Sequence, residues 1–220
     1  MSKTASTLKV VGLSGSPFPS SRSRILLEHT LVQLAAHRLE VQLIDLAALP
    51  AEGLLGRRRE AEVDDAVQQA IDAHVLLVGT PVYQATYTGL LKVFFDLFPK
   101  AALRGSVVGL IATGGSSLHA LAIDHGLRPL VASLGGISAS HSVYVTDKIF
   151  PDKRVIPDEV KHMTSELAHE LLALTHGQSA ATHTHTHVSP AQGVTASGVA
   201  PHAGTTPQVV TNGYHHAARG

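Results

Sequence analysis

Cysteine is absent from the 220 residues. That excludes disulfide frameworks, thiolate zinc sites and iron–sulfur clusters, and it fits the cytosol. An excess of one charge sign is also lacking. Seventeen Lys and Arg stand against seventeen Asp and Glu, and no basic stripe interrupts the chain. Phosphate-backbone binding needs clustered cations, so nucleic acid is not an expected partner. No stretch reaches about 18 consecutive apolar residues. The apolar run in MSKTASTLKVVGLSGSP is too short for a secretory signal. The expectation is a soluble cytoplasmic protein with no membrane partner.

What is present is a core. Hydrophobic residues make up 44% of the chain and charged residues 15%, enough for one sizeable domain. Apolar runs at residues 8–13, 41–44, 75–79, 107–112 and 137–144 predict five buried strands. Between them, helical spacing predicts helices from about Ser21 or Ser23 through Ala35, over 64–73, 88–98 and 117–134, and after Pro157 to about His176. Strands alternating with helices predict an α/β fold: a doubly wound parallel sheet covered on both faces. Residues 47–60, with Arg57, Arg58 and Arg59, are predicted as a surface loop or short helical turn. Residues 1–176 therefore form the expected domain. From 177 to 220 apolar periodicity is lost among His, Ala, Gly and Thr, which predicts a disordered tail. The alternating His183, His185 and His187 suit a flexible chelator of Ni²⁺, Zn²⁺ or Cu²⁺ rather than a preformed site, and no metal site is predicted.

In open α/β sheets, ligands bind beyond the carboxyl ends of the strands. Three small-and-polar loops fall at such ends. The first, SGSPFPSSRS at 14–23, offers hydroxyls and a helix N-terminus suited to phosphate. It matches neither a Walker loop nor a G-x-G-x-x-G fingerprint, and a plain helix-capping loop is the alternative. The second, TPVYQATYTG at 80–89, has Pro81 restricting Thr80 to extended geometry. It also carries Tyr83 and Tyr87 as flat-ligand candidates, and Gly89 to admit a close backbone. The alternative is that both tyrosines pack at the rim of a core or subunit interface. The third, Thr113-Gly114-Gly115-Ser116, offers free N–H groups without bulk, or is simply a turn. Together they suggest a phosphate grip on one side and a planar group on the other.

The segments SGSP…SSRS, TPVYQATYTGLLKVFFDLFP and ATGGSSLHALAIDHGLRPL resemble the NADPH-dependent FMN reductases, over about residues 8–175. The likeness is strongest to the branch that supplies reduced flavin to sulfonate monooxygenases. The resemblance implies a flavodoxin-like five-stranded sheet ordered 2-1-3-4-5, with FMN at the ends of the first and third strands. It places Ser14, Ser16, Ser21 and Ser23 around the FMN phosphate. Pro81, Val82, Tyr83 and Ala85 fall beside the ribityl chain and ring, and Thr113, Gly114 and Gly115 at the ring edge. Family members often carry an arginine just after the Ser-Pro, where this chain has Phe18, so Arg22 is the substitute cation. The implied activity is NAD(P)H-dependent reduction of free FMN, with NADPH or NADH as donor and an FMNH₂-dependent monooxygenase as partner. Hydride passes directly between the two cofactors, so no catalytic side chain is expected. Two other readings keep the fold. One is an FMN-retaining reductase of quinones, azo dyes or metal ions; the other is a non-enzymatic electron carrier, which the neutral charge disfavours.

In AIDHGLRP, Pro129 falls inside the predicted fourth helix, where it removes a backbone donor. A local wide turn absorbs such a defect. The resemblance implies a π-bulge here at a subunit interface, with His125 as its extra residue, in a homodimer or homotetramer. A surface histidine before a proline kink is the alternative. Phe94, Phe95 and Phe98 are expected to pack in the core, with an oligomer surface as the other choice. The Arg57–Arg59 cluster is either solvated charge or a contact for a dinucleotide 2′-phosphate.

Overall fold

Apolar strands become central when helices cover both of their faces, and this sheet shows the pattern strand by strand. The structure is a computed structural model and describes residues 8–184, with side chains to 177. The parallel core of the sheet is β2 (Glu40–Asp45), β1 (Lys9–Ser14), β3 (Val75–Tyr83) and β5 (Val107–Gly114), in that order. A fifth strand position follows, occupied by β6 (Ile137–Ser138) and β7 (Val143–Thr146), which pair with the two halves of β5. Counted as positions, this is the flavodoxin-like order 2-1-3-4-5. A two-residue strand, β4 (Thr86–Tyr87), folds back antiparallel on the end of β3.

Side chains alternate across the strands. Val10, Val75, Leu77, Val107 and Ile111 join one cluster with Leu26, Leu27 and Leu34 of α1 (Arg22–Ala35) and Leu167 and Leu171 of α6 (Asp158–Thr184). Val11, Leu13, Leu76, Val78, Val108 and Leu110 join a second. There they meet α3 (Ala61–Ile71), α4 (Gly89–Phe95) and α5 (Arg128–Ser133) through Ala66, Phe94 and Val131. The short α2 (Ala51–Leu54) lies in the predicted loop. Phe94, Phe95 and Phe98 are buried in this second core, with edge-on ring pairs 5.1–6.3 Å apart. Core packing therefore accounts for them.

Three elements depart from the sequence expectation. The predicted helix over 117–134 is a 3₁₀ turn at Ser117–Ala120, a π-helical segment at Ile123–Leu127 and then α5. Pro129 has no N–H for the carbonyl four residues back, and the Arg128 N–H donates five residues back, to the Ile123 carbonyl. His125 lies in this π-helical segment. Gly126 lets it approach β4, since a Cβ there would sit 3.1 Å from both Thr86 Oγ1 and Tyr87 Cδ1.

The predicted strand over 137–144 is broken at residues 139–142. Arg128 donates to the carbonyls of Ala139 (2.6 Å) and Ser140 (2.7 Å). Glu170 of α6 accepts from the N–H groups of Ser140 (2.9 Å) and His141 (2.8 Å), and from both of their side chains. These side chains supply hydrogen bonds to the backbone where the ladder is interrupted. Burial pushes the Glu170 carboxyl up, but the hydrogen bonds from Ser140 and His141 outweigh it and hold the group at about 2.

Finally, α6 runs on to Thr184 instead of ending near His176. Gly177 costs about 1 kcal/mol inside a helix, and the good helix former Ala that follows at 180 and 181 favours continuation. His185, His187 and the rest of the predicted tail lie outside the described residues, as does the side chain of His183. No helix among the described residues is long and apolar enough to cross a membrane.

Candidate active site

Parallel register brings the ends of the central strands level. Ser14 pairs with Gly79, and Pro81 with Thr113, so the three polar loops leave the sheet side by side. Buried hydrogen bonds tie the first two together. Gly15 N–H donates to the Gly79 carbonyl (2.8 Å), and Thr88 Oγ1 donates to the Gly15 carbonyl (2.6 Å). The Thr88 N–H donates to Thr80 Oγ1 (3.3 Å), and its own Oγ1 caps α4 by accepting from Leu91 N–H (3.1 Å).

Between the loops lies a cavity of about 290 Å³. From the predicted set it is lined by Ser21, Arg22, Pro81, Val82, Tyr83, Thr113, Gly114 and Gly115. Tyr83 is 44% exposed there, whereas Tyr87 is half-buried against the second core and the π-helical segment. The two tyrosines thus have different surroundings.

The third loop is held open from below. Tyr144 donates its hydroxyl to the Ser116 carbonyl (2.6 Å), and a Cβ at Gly114 would collide with that hydroxyl at 2.5 Å. Burial, with a contribution from Asp147, pushes the Tyr144 phenol up, which keeps it a neutral donor. At Gly115 a Cβ would meet nothing within 4 Å, so this wall opens to the cavity.

Other predicted residues fall elsewhere. Ser14, Ser16 and Ser23 are buried and are not among the cavity-lining residues. Ser16 Oγ bridges the N–H and carbonyl of Phe18, Ser23 Oγ pairs with Ser21 Oγ, and Ser21 Oγ caps α1 at Arg24 N–H. Ser14 Oγ has no partner among the described residues. Ala85 and Gln84 form the β3–β4 turn with φ of 67° and 49°, a left-handed pair that favours glycine. Ala85 lines a neighbouring hollow with Leu118, Leu121 and the exposed His125, not this cavity. Gly89 does not admit a close backbone, because a Cβ there would meet nothing within 4 Å. The Arg57–Arg59 cluster faces Glu52, Glu60 and Asp64 and is not part of this cavity.

The sequence reading missed Ser20, Asp147 and Lys153, and had placed Phe18 only as a departure; all four line the cavity. Asp147 and Lys153 follow the fifth strand position, whose carboxyl end is a ligand-facing edge like the others. Arg22 is also more constrained than a free phosphate clamp. Its Nη1 pairs with Asp147 (3.0 Å), while Nε and Nη2 donate to the carbonyls of Phe150 and Pro151.

With this geometry established, similarity to known proteins narrows the chemistry. A family model described as NADPH-dependent FMN reductase matches residues 8–150. The NADH-dependent FMN reductase SfnF of Pseudomonas fluorescens (strain Pf0-1) is 39% identical over 158 residues, 70% of this chain and 84% of that protein. The FMN reductase (NADPH) of Escherichia coli (strain K12) is 35% identical over 161 residues, 73% and 84% respectively. Among solved structures, the apo form of the NADH:FMN oxidoreductase EMOB superposes with a TM-score of 0.70 at 35% identity, covering 76% of this chain and 90% of that one.

Proposed function

The chain belongs to the NADPH-dependent FMN reductase family and is an NAD(P)H:FMN oxidoreductase, and we propose that it releases the reduced FMN to a partner monooxygenase that desulfonates small alkanesulfonates. The observation that carries this reading is the single cavity on which three strand-end loops converge. The resemblance of those loops to reductases serving sulfonate monooxygenases supports the finer part. A homodimer or homotetramer belongs to the same proposal, as does the role of His125 at a subunit contact.

The residues present fit FMN. Ser20 and Ser21 line the cavity at the head of α1, whose first turn carries no carboxylate, and the buried Ser14 hydroxyl at the end of β1 is unpartnered among the described residues. This suits a phosphate. Pro81, Val82 and Tyr83 line the same cavity beside Gly114 and Gly115, and because a Cβ at Gly115 would meet nothing within 4 Å, that edge leaves room for a flat ring. When bound, FMN supplies the hydride-accepting centre.

The chain's own part is orientation. Pro81 and the Thr88 network hold one wall rigid, and Tyr144 holds the opposite wall by its bond to the Ser116 carbonyl. Rigid walls would hold the flavin in a fixed orientation, so that hydride transfer becomes a positioned encounter. No acid or base among the lining residues is needed.

The test is steady-state oxidation of NADH and NADPH with FMN, FAD and riboflavin, followed by delivery across a dialysis membrane to a separate FMNH₂-dependent alkanesulfonate monooxygenase. The expected result is turnover with free FMN and sulfite release on the far side. A yellow protein that keeps its flavin and reduces quinone by alternating half-reactions would overturn the release step.

A further inference from the structure

The charge lining the cavity comes from three side chains: Arg22, Asp147 and Lys153. Two of them cancel. Arg22 pairs with Asp147 at 3.0 Å, and its other guanidinium nitrogens are occupied by the Phe150 and Pro151 carbonyls. The third, Lys153, is exposed and has no hydrogen-bond or ion-pair partner among the described residues. It lines the same cavity as Ser20, Ser21 and the start of α1. The bonds from Arg22 also explain how it gets there, because they anchor the backbone at 150 and 151, just before Lys153, to the head of α1. Asp147 N–H adds a bond to the Gly114 carbonyl (3.1 Å), fastening the same loop to the opposite wall.

We propose that Lys153 is the specificity residue for the phosphate of the flavin nucleotide, supplying the uncancelled positive charge, while Arg22 positions the loop that carries it. This rests on the reading of the cavity as the FMN site. Lys153 lies beyond the 8–150 segment that matches the family model. A phosphate monoester dianion would meet one ammonium unpaired among the described residues, the neutral Ser20 hydroxyl and the positive end of α1, whose Arg24 N–H is already capped by Ser21. Riboflavin, with the same ring and no phosphate, gains nothing from the ammonium.

The experiment measures dissociation constants of FMN and riboflavin by flavin fluorescence quenching, for the wild type, Lys153→Met and Lys153→Arg. Because Lys153 is exposed and unpaired, these variants keep the fold. Lys153→Met is expected to weaken FMN binding about tenfold, the scale of one ammonium against a dianion at a solvated mouth. Riboflavin binding stays within about twofold, Lys153→Arg restores FMN binding, and added salt shrinks the wild-type preference for FMN. Unchanged FMN affinity in Lys153→Met overturns the proposal. Equal loss of both flavins also overturns it, because Lys153 would then shape the cavity and not read charge. A raised KM for NADH or NADPH with FMN affinity intact reassigns the ammonium to the dinucleotide phosphates, and overturns it as well. A wild type that binds neither flavin overturns the cavity reading itself, a result distinct from any of these.

Discussion

The two sides of the cavity are built from different interactions. On the β1 and β3 side, neutral hydroxyls and backbone groups bond to one another out of water: Thr88 to Gly15, Gly15 to Gly79, Thr88 to Thr80. On the side of the fifth strand position, ionised groups do the holding: Arg22 with Asp147 at the cavity itself and, away from it at the strand break, Arg128 with Asp124 and two carbonyls and Glu170 with Ser140 and His141. Buried neutral bonds respond little to salt or pH, whereas exposed charges are screened and titrate. The wall built from β1 and β3 is the insensitive one. The loop that carries Lys153 is the tunable one.

Thr88→Val tests the neutral side most severely. The isosteric change removes the cap on α4 and leaves the buried Gly15 carbonyl without its donor, and is expected to cost about 3 kcal/mol in urea unfolding. A loss no larger than a surface substitution would mean that the loops are held by packing alone.

Glu170→Gln tests the charged side and is expected to cost about 2 kcal/mol at pH 7, since the amide cannot accept on both arms. The sign of its pH dependence follows from the carboxyl's folded value of about 2 against about 4.3 in an unfolded chain. The stabilisation is fully present above about pH 4.3 and is lost as pH falls toward 2. Urea midpoints of wild type and variant should therefore converge between pH 6 and pH 3. A gap that stays constant over that range would show that the carboxylate charge is not what holds the strand break.

The smallest effect runs the other way. Ala85→Gly relieves one of two left-handed non-glycine residues in the β3–β4 turn and is expected to gain about 0.5 kcal/mol, after the entropy glycine loses on folding. A thermal-shift decrease would place the turn's energy in contacts of the Ala85 methyl instead.

Much of the fold was legible because its signals are local. Five apolar runs bounded by Gly, Pro and Ser marked the strands, and Ser21 and Pro157 marked helix starts. The loops 14–23, 80–89 and 113–116 could be singled out because small and polar residues at strand ends have a mechanism behind them. Positions judged by type had neighbours that no local pattern shows. Ser16 and Ser23 bond within their own loop, Ala85 lines a neighbouring hollow, and Gly89 faces open space. The break in the fifth strand was invisible because Arg128 and Glu170 lie 11 and 30 residues from Ala139 and Ser140, the backbone they satisfy.

The sequence alone determined the class of sheet, the three loops at its carboxyl edge and the family, since hydrophobic period and short motifs are properties of neighbouring residues. Only tertiary structure decided which hydroxyls are buried, how Tyr83 and Tyr87 differ, and that Arg22 is neutralised by Asp147, 125 residues along the chain, while Lys153 has no partner among the described residues. Those outcomes depend on strand register and loop packing, which bring together charges that no local pattern connects.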